Sequence, residues 1–247
     1  MGISLNPFAF LVGIKEPLGK TLVLGRQDNN LRHPEKIQLA KVVINHYSSK
    51  INLDKFIHEK YADNLFKELG ATELDFLDIN DYEGGNVFHD LNKPLPESLY
   101  GKYDSVIDGG TLEHVYHVPN ALNSIARLLN IGGRYIGMHP ANNFLNHGFY
   151  QISPELMLNF CFSFGFKINR LDLYIRTPGL PVIFPLPTTI NGDRTQYNTP
   201  NMRVDLFTEA TKESDAYPEF LYQYDYSHAW NEGKKEHKVK TVTLKLK

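Results

Sequence analysis

The run Tyr103-Asp-Ser-Val-Ile-Asp-Gly-Gly-Thr-Leu-Glu-His-Val-Tyr-His-Val-Pro-Asn-Ala-Leu122, continued by Asn123-Ser-Ile-Ala-Arg-Leu-Leu-Asn-Ile-Gly-Gly-Arg-Tyr-Ile-Gly-Met-His-Pro140, decides the fold. It reads as strand, polar turn, amphipathic helix, glycine turn, strand. Val106 and Ile107 are the apolar centre of the first strand. Pro119 to Leu129 predicts a helix, because Ala121, Leu122, Ile125, Leu128 and Leu129 recur on one face. Gly132-Gly133 is expected to stop that helix, and Arg134 to Met138 to form the next strand. The polar turn at 108–111 then falls at the carboxyl end of a buried strand, where open α/β sheets bind ligands.

The flanking sequence repeats the alternation. Lys20-Thr-Leu-Val-Leu24 is a short β-rich apolar run ending at Gly25, as in a buried parallel strand. Residues 34–48 are ambiguous: Pro34 can sit in a first helical turn, and Ile37, Ala40, Ile44 and Tyr47 have helical spacing. Residues 54–69 predict a helix that starts near Asp54 and stops at Gly70. Leu74–Asp78 and Asn86–His89 predict further strands, separated by the turn Glu83-Gly-Gly85. Ser153-Pro-Glu155 opens a helix with serine as cap and proline in the first position, and Gly165 to Leu173 predicts a strand. Strands and helices in alternation imply a doubly wound, mostly parallel sheet, Rossmann-like in type. Prolines 178, 181, 185 and 187 break up the chain beyond Thr177. Residues 1–177 are therefore expected to form the α/β core, and 178–247 a loop-rich extension packed on the same domain, with Phe220, Tyr222, Tyr224, Tyr226 and Trp230 as packing groups and Val239–Leu246 as a terminal strand.

Bulk composition narrows the class. The 247 residues suffice for one α/β domain with a sizeable core, and 42% hydrophobic against 22% charged residues is the balance of a soluble globular protein. A net charge of −2 with scattered Lys and Arg argues against a nucleic-acid partner. The basic stretch Lys234–Lys240 is short and interrupted by Glu236, as on a solvated face. The single cysteine, Cys161, lies in an apolar run and excludes an internal disulfide framework. No apolar run is long enough to span a bilayer, and Phe8-Ala-Phe-Leu-Val12 lacks the flanks of a secretory signal, so a cytoplasmic location is expected.

With these residues in place, the chain resembles class I S-adenosylmethionine-dependent methyltransferases of the small-molecule type over roughly residues 20–175. The resemblance is carried by Tyr103-Asp-Ser-Val-Ile-Asp108, Gly109-Gly-Thr-Leu-Glu-His114 and Leu128-Leu-Asn-Ile-Gly-Gly133. It implies S-adenosylmethionine as cofactor and methyl transfer, to oxygen or nitrogen, of a small metabolite or glycan precursor. By resemblance Gly25 belongs to a glycine loop after the first strand, but Gly25-Arg-Gln-Asp28 keeps only the first glycine of that loop. Arg26 reads either as a two-pronged partner of the cofactor carboxylate or as a surface cation. The resemblance places Asp78 at the ribose hydroxyls, with Asp75 and Asp81 as nearby competitors for that role, and Asp90 and Leu91 at the adenine. Asp108, Gly109, Gly110 and Thr111 would line the cofactor from the other side, the glycines admitting close backbone approach.

His139-Pro-Ala-Asn-Asn-Phe-Leu-Asn-His-Gly-Phe-Tyr150 follows the fifth strand and is dense in donors and acceptors, which suits substrate binding by His139, Asn142, Asn143 and Tyr150. His147 and His114 are the candidate general bases. Glu113 reads as an acid favoured by a helix start. His114, His117, His139 and His147 lack an i, i+4 pair, so no metal centre is expected. The degenerate glycine loop also admits a catalytically inactive, methyltransferase-like binding or scaffold protein. A nicotinamide enzyme and a serine hydrolase are disfavoured, since neither Gly-x-Gly-x-x-Gly after the first strand nor Gly-x-Ser-x-Gly occurs.

Overall fold

The computed structural model describes residues 2–189, 194–218, 221–223, 226, 230–231 and 239–244. In chain order the elements are β1 (Gly2–Ile3), α1 (Leu5–Val12), β2 (Gly19–Leu24), β3 (Asp28–Asn29), α2 (Pro34–His46), α3 (Asp63–Glu68), β4 (Ala71–Asp78), β5 (Val87–Phe88), β6 (Tyr103–Asp108), α4 (Val118–Leu128), β7 (Leu129–Asn142), α5 (Pro154–Ser163), β8 (Phe166–Ile175), β9 (Val182–Pro185), β10 (Arg194–Asn198), β11 (Val204–Lys212) and β12 (Val239–Thr243). Phe220, Tyr224, most of the basic stretch near 234 and the end of the expected terminal strand lie outside the described residues.

Eight strands form one sheet in the order β5-β4-β2-β6-β7-β11-β8-β9. The pairs β5·β4, β4·β2, β2·β6 and β6·β7 are parallel, while β11 runs antiparallel to both β7 and β8. Side chains alternate across this sheet. Leu22, Leu24, Val106, Tyr135, Leu173 and Leu206 pack with α4 and α5. Val23, Phe76, Ile107, Ile136, Tyr174 and Phe207 pack with α1, α2 and α3. This is the two-sided cover that makes parallel strands read as continuous apolar runs. All eight residues of α1 are buried; Phe10 meets Tyr174 edge-on at 6.0 Å and Phe207 at 5.3 Å. Buried Cys161 is a core thiol whose pKa burial pushes up. Among the described residues no helix is long and apolar enough to cross a membrane.

Three expectations change. The helix expected over 54–69 is a 3-10 turn at Leu53–Lys55 and then α3. The intervening backbone is claimed by the loop after β2: Asn29 Nδ2 donates to the Phe56 carbonyl, and the Asn29 and Ala62 amides donate to Lys60 and Gln27. Gly132-Gly133 is not a helix stop but lies inside β7. The helix ends earlier because Leu129 turns extended and the buried Lys212 ammonium donates to the carbonyls of Ala126 (2.8 Å) and Leu129 (2.9 Å). Finally, the sheet does not end at residue 177: β11 sits between β7 and β8.

The lysine cap gives a stability prediction. Lys212→Met keeps the stem but strands two carbonyls, and is expected to cost about 1–3 kcal/mol. Asp215, the ion partner of Lys212, is 72% exposed and adds little. Urea denaturation followed by far-UV circular dichroism measures the difference; an unchanged midpoint would remove Lys212 from the helix terminus.

Candidate functional site

The strand order reverses between β2 and β6, so their carboxyl ends flank the crevice where doubly wound sheets take ligands. Gly25 leaves β2 with φ +69°. A Cβ there would lie 3.3 Å from Thr111 Oγ1, which donates to the Leu24 carbonyl and closes the two strand ends on each other. Asp108 Oδ1 accepts from the amides of Gly110 (3.1 Å) and Thr111 (2.7 Å), folding the turn after β6.

Arg26 and Gln27 fill the place of the missing glycines. Arg26, expected to meet either a cofactor carboxylate or solvent, instead gives its fork to Asp63 (2.6 and 3.3 Å) and a third donor to the Glu83 carbonyl. Its guanidinium stands 4.1 Å from the Tyr61 ring centre, so it binds α3 to the loop after β4. Gln27 was not singled out by the sequence. Its Nε2 donates to the Leu24 and Gly25 carbonyls. Its carbonyl end lies where a Cβ of Gly109 would fall, at 2.5 Å. The close approach that Gly109 permits is therefore to Gln27. Two acceptors, Gln27 Oε1 and Asp108 Oδ2, are buried without a hydrogen-bond partner among the described residues.

Asp78 ends β4, half-buried, with Oδ1 accepting from the Ile79 amide. Asp90 forms a turn in which Oδ1 accepts from both the amide and the side chain of Asn92; these bonds hold its carboxyl below the usual range. Asn120 donates to the carbonyl of buried Leu91, and the His117 amide donates to Asn92 Oδ1. The turn is thus fastened to the start of α4.

On the other side of Asp108 lies a buried polar cluster. His139, expected in a loop, lies within β7 with about 1% of its surface exposed. Its Nε2 is 2.7 Å from Tyr135 Oη and 3.9 Å from Asp108 Oδ2, and its Nδ1 is 3.3 Å from Glu113 Oε2. Burial pushes the Asp108 carboxyl up, and Glu113 adds to this against the pull of His139. Burial also opposes a charge on His139, but Asp108 and the hydrogen bond to Glu113 outweigh it and hold the imidazole above its ordinary value.

The loop after β7 lies over this cluster. Asn142 and Asn143, expected to touch substrate, tie the loop to the segment before β11, through Thr199 Oγ1 and the Met202 carbonyl. Tyr150 donates to the Tyr116 carbonyl. His147 and His114 do come together: both are exposed, with ring centres 5.3 Å apart. A cavity of about 180 Å³ opens beside them, lined among others by Glu113, His139, His147, Arg176, Arg203 and Asp205. Arg176 clamps Asp205 with two bonds of 2.8 and 2.9 Å. Neither arginine nor Asp205 carries a local sequence signal, because each reaches the cavity from beyond β7. A larger cavity, about 600 Å³ between Tyr100, Arg127 and Tyr217, lies at the opposite end of the strands and holds none of the candidate residues.

No protein-family model and no curated protein matches the chain. Solved structures resemble it in chain path. A methyltransferase from Bacillus halodurans, described as putative, shares 8% identity at a TM-score of 0.47, over 86% of this chain and 100% of that one. An S-adenosylmethionine-dependent methyltransferase from Mesorhizobium loti shares 13% identity at 0.48, over 84% and 98%. The 1,6-didemethyltoxoflavin-N1-methyltransferase of Burkholderia thailandensis, solved with that compound and S-adenosylhomocysteine, shares 12% at 0.45, over 85% and 78%.

Proposed function

We propose that this chain is a cytoplasmic class I S-adenosylmethionine-dependent methyltransferase acting on a small molecule, a sugar-containing metabolite or glycan precursor, at oxygen or nitrogen. The observation that carries the reading is the reversal of strand order, which gathers Asp78, Asp90 and the Asp108–Thr111 turn on one rim beside a cavity lined by His147.

The residues on that rim fit the cofactor. The free oxygen of Asp78 suits the ribose hydroxyls, and Asp90 with the Leu91 amide suits the adenine edge. Gln27 Oε1 and Asp108 Oδ2, buried at the ends of β2 and β6 without a hydrogen-bond partner among the described residues, are acceptors that the cofactor's ammonium group would satisfy if the Gly109–Gly110 turn opens to it. That role replaces the one expected of Arg26. When bound, the cofactor supplies an electrophilic sulfonium methyl, so the protein mainly aligns the acceptor. Glu113 and His147 line the cavity, with His114 against His147, so the acceptor must lose its proton beside these three groups. Arg176 is paired with Asp205, and Arg203 adds a further cation at the cavity wall that can meet an oxygen-rich acceptor.

A second reading draws on Arg26 and Gln27, whose side chains occupy the glycine-loop position as they would in a scaffold that had lost its cofactor. Calorimetry with S-adenosylhomocysteine separates the two. The enzyme reading expects one site per chain, weakened about 10–100-fold by Asp78→Ala, the loss of a hydrogen bond to a charged group. Absence of heat and of any thermal shift would establish the scaffold.

A further inference from the structure

We propose that Glu113, His114 and His147 form a binding site for one divalent transition-metal ion of the zinc–cobalt–nickel class. One donor atom from each of the three lies within 4.8 Å of the other two. A tetrahedral ion with bonds of about 2.1 Å spaces its ligands about 3.4 Å apart. Both imidazoles are exposed, with ring centres 5.3 Å apart, so a rotation of the side chains would close the remaining distance.

The arrangement is built by the backbone. The amides of Phe149 (2.7 Å) and Tyr150 (3.3 Å) both donate to the Glu113 carbonyl. Gly148 passes so close that a Cβ there would lie 2.7 Å from the same oxygen. The loop holds Asn143, Asn146 and Gly148 at φ 61°, 63° and 75°. Left-handed backbone is disfavoured for residues other than glycine, so it persists where the surroundings impose it. Here the imposed shape carries His147 over His114.

The outer partners match a metal site as well. Metal ligands are usually oriented by a further hydrogen bond. The Glu113 carboxylate is buried and meets His139 Nδ1, and His139 is in turn held by Tyr135. Two imidazoles and one carboxylate suit zinc, cobalt or nickel, whereas magnesium and calcium take oxygen donors. Three protein ligands leave positions open, and Glu113 and His147 both line the 180 Å³ cavity, so those positions face it.

Ion binding stands apart from methyl transfer. What it adds rests on that reading: an acceptor hydroxyl entering the cavity would ligate the ion and lose its proton to solvent, and its oxygen would then bond to the methyl carbon as the carbon–sulfur bond of the sulfonium breaks and S-adenosylhomocysteine leaves. The acceptor class is then a hydroxyl compound able to chelate.

The test is titration of the chelator-treated full chain with Co2+, read by its visible absorption. One equivalent with the strong bands of a four- or five-coordinate ion is expected, displaced by Zn2+. His114→Ala and His147→Ala should each weaken binding by more than about 100-fold, beyond the roughly 10–100-fold that loss of a supporting partner causes. His46→Ala, an exposed histidine on α2, should leave it unchanged. Both site histidines are exposed, so these variants keep the fold even if Glu113→Gln does not. Absence of stoichiometric bands, or Co2+ binding untouched by both substitutions, overturns the proposal. Co2+ binding without S-adenosylhomocysteine binding would leave the metal site standing and remove the methyltransferase reading.

Discussion

The double variant His114→Ala/His147→Ala is expected to lose methyl-transfer turnover by about 10²–10⁴-fold, the range that assisted removal of the acceptor proton contributes, while S-adenosylhomocysteine affinity stays within about two-fold. The split follows from the geometry. His147 lines the cavity and His114 meets its ring edge-on, whereas Gln27 follows β2, Asp78 ends β4 and Asp90 follows β5. Both side chains are exposed, so their removal opens no core cavity and the loss cannot be charged to unfolding. A hydroxyl or protonated amine must shed its proton as it takes the methyl group, and the loss is largest for such acceptors. The measurement is transfer of labelled methyl from S-adenosylmethionine to a panel of hydroxyl and amine acceptors, alongside calorimetry. Turnover that survives both substitutions would take the two histidines out of the reaction.

The part of this fold that local pattern encodes was legible. Leu22–Leu24 and Val106–Ile107 are apolar because both faces of the sheet are covered, and they lie where the sequence places them. Ser153 caps α5 by accepting from the Leu156 amide, as its position before Pro154 implies. β11 was hidden for a physical reason. Its buried residues include Asp205, Thr208, Glu209 and Lys212, which read as a polar segment. Their charges are answered by residues distant in sequence: Asp205 by Arg176 and Asn6, Glu209 by Arg134, and Lys212 by two carbonyls of the α4–β7 junction. The site divides in the same way. The acids at strand ends follow from the alternation, but the meeting of His114 with His147 depends on a loop whose left-handed asparagines leave no periodic trace. Gln27 reads as an ordinary loop residue until Gly109 is seen to make room for it.

Ending the chain at residue 177, where the α/β alternation runs out, is expected to abolish folding. β11 pairs with β8 from Val204 to Lys212 and with β7 from Val204 to Thr211, so its loss leaves two long strands with unpaired edges inside the sheet. Val204, Leu206 and Phe207 are each no more than 1% exposed. At about 1.5–3 kcal/mol for each fully buried side chain, they account for about 5–9 kcal/mol, comparable with the whole stability of a typical domain at about 5–15 kcal/mol. The truncation also leaves buried Arg134 without Glu209 and exposes Phe10 and Tyr174, which pack on the Phe207 ring. Losing one member of a buried pair costs about 3–5 kcal/mol more. The fragment 1–177 should therefore lack a cooperative urea transition and near-UV circular dichroism, and should aggregate through its open edges. A cooperative transition in that fragment would mean that β7 and β8 close on each other without β11, and the cavity, which takes Arg203, Asp205 and Phe207 from beyond residue 177, would then be an addition to a self-sufficient core.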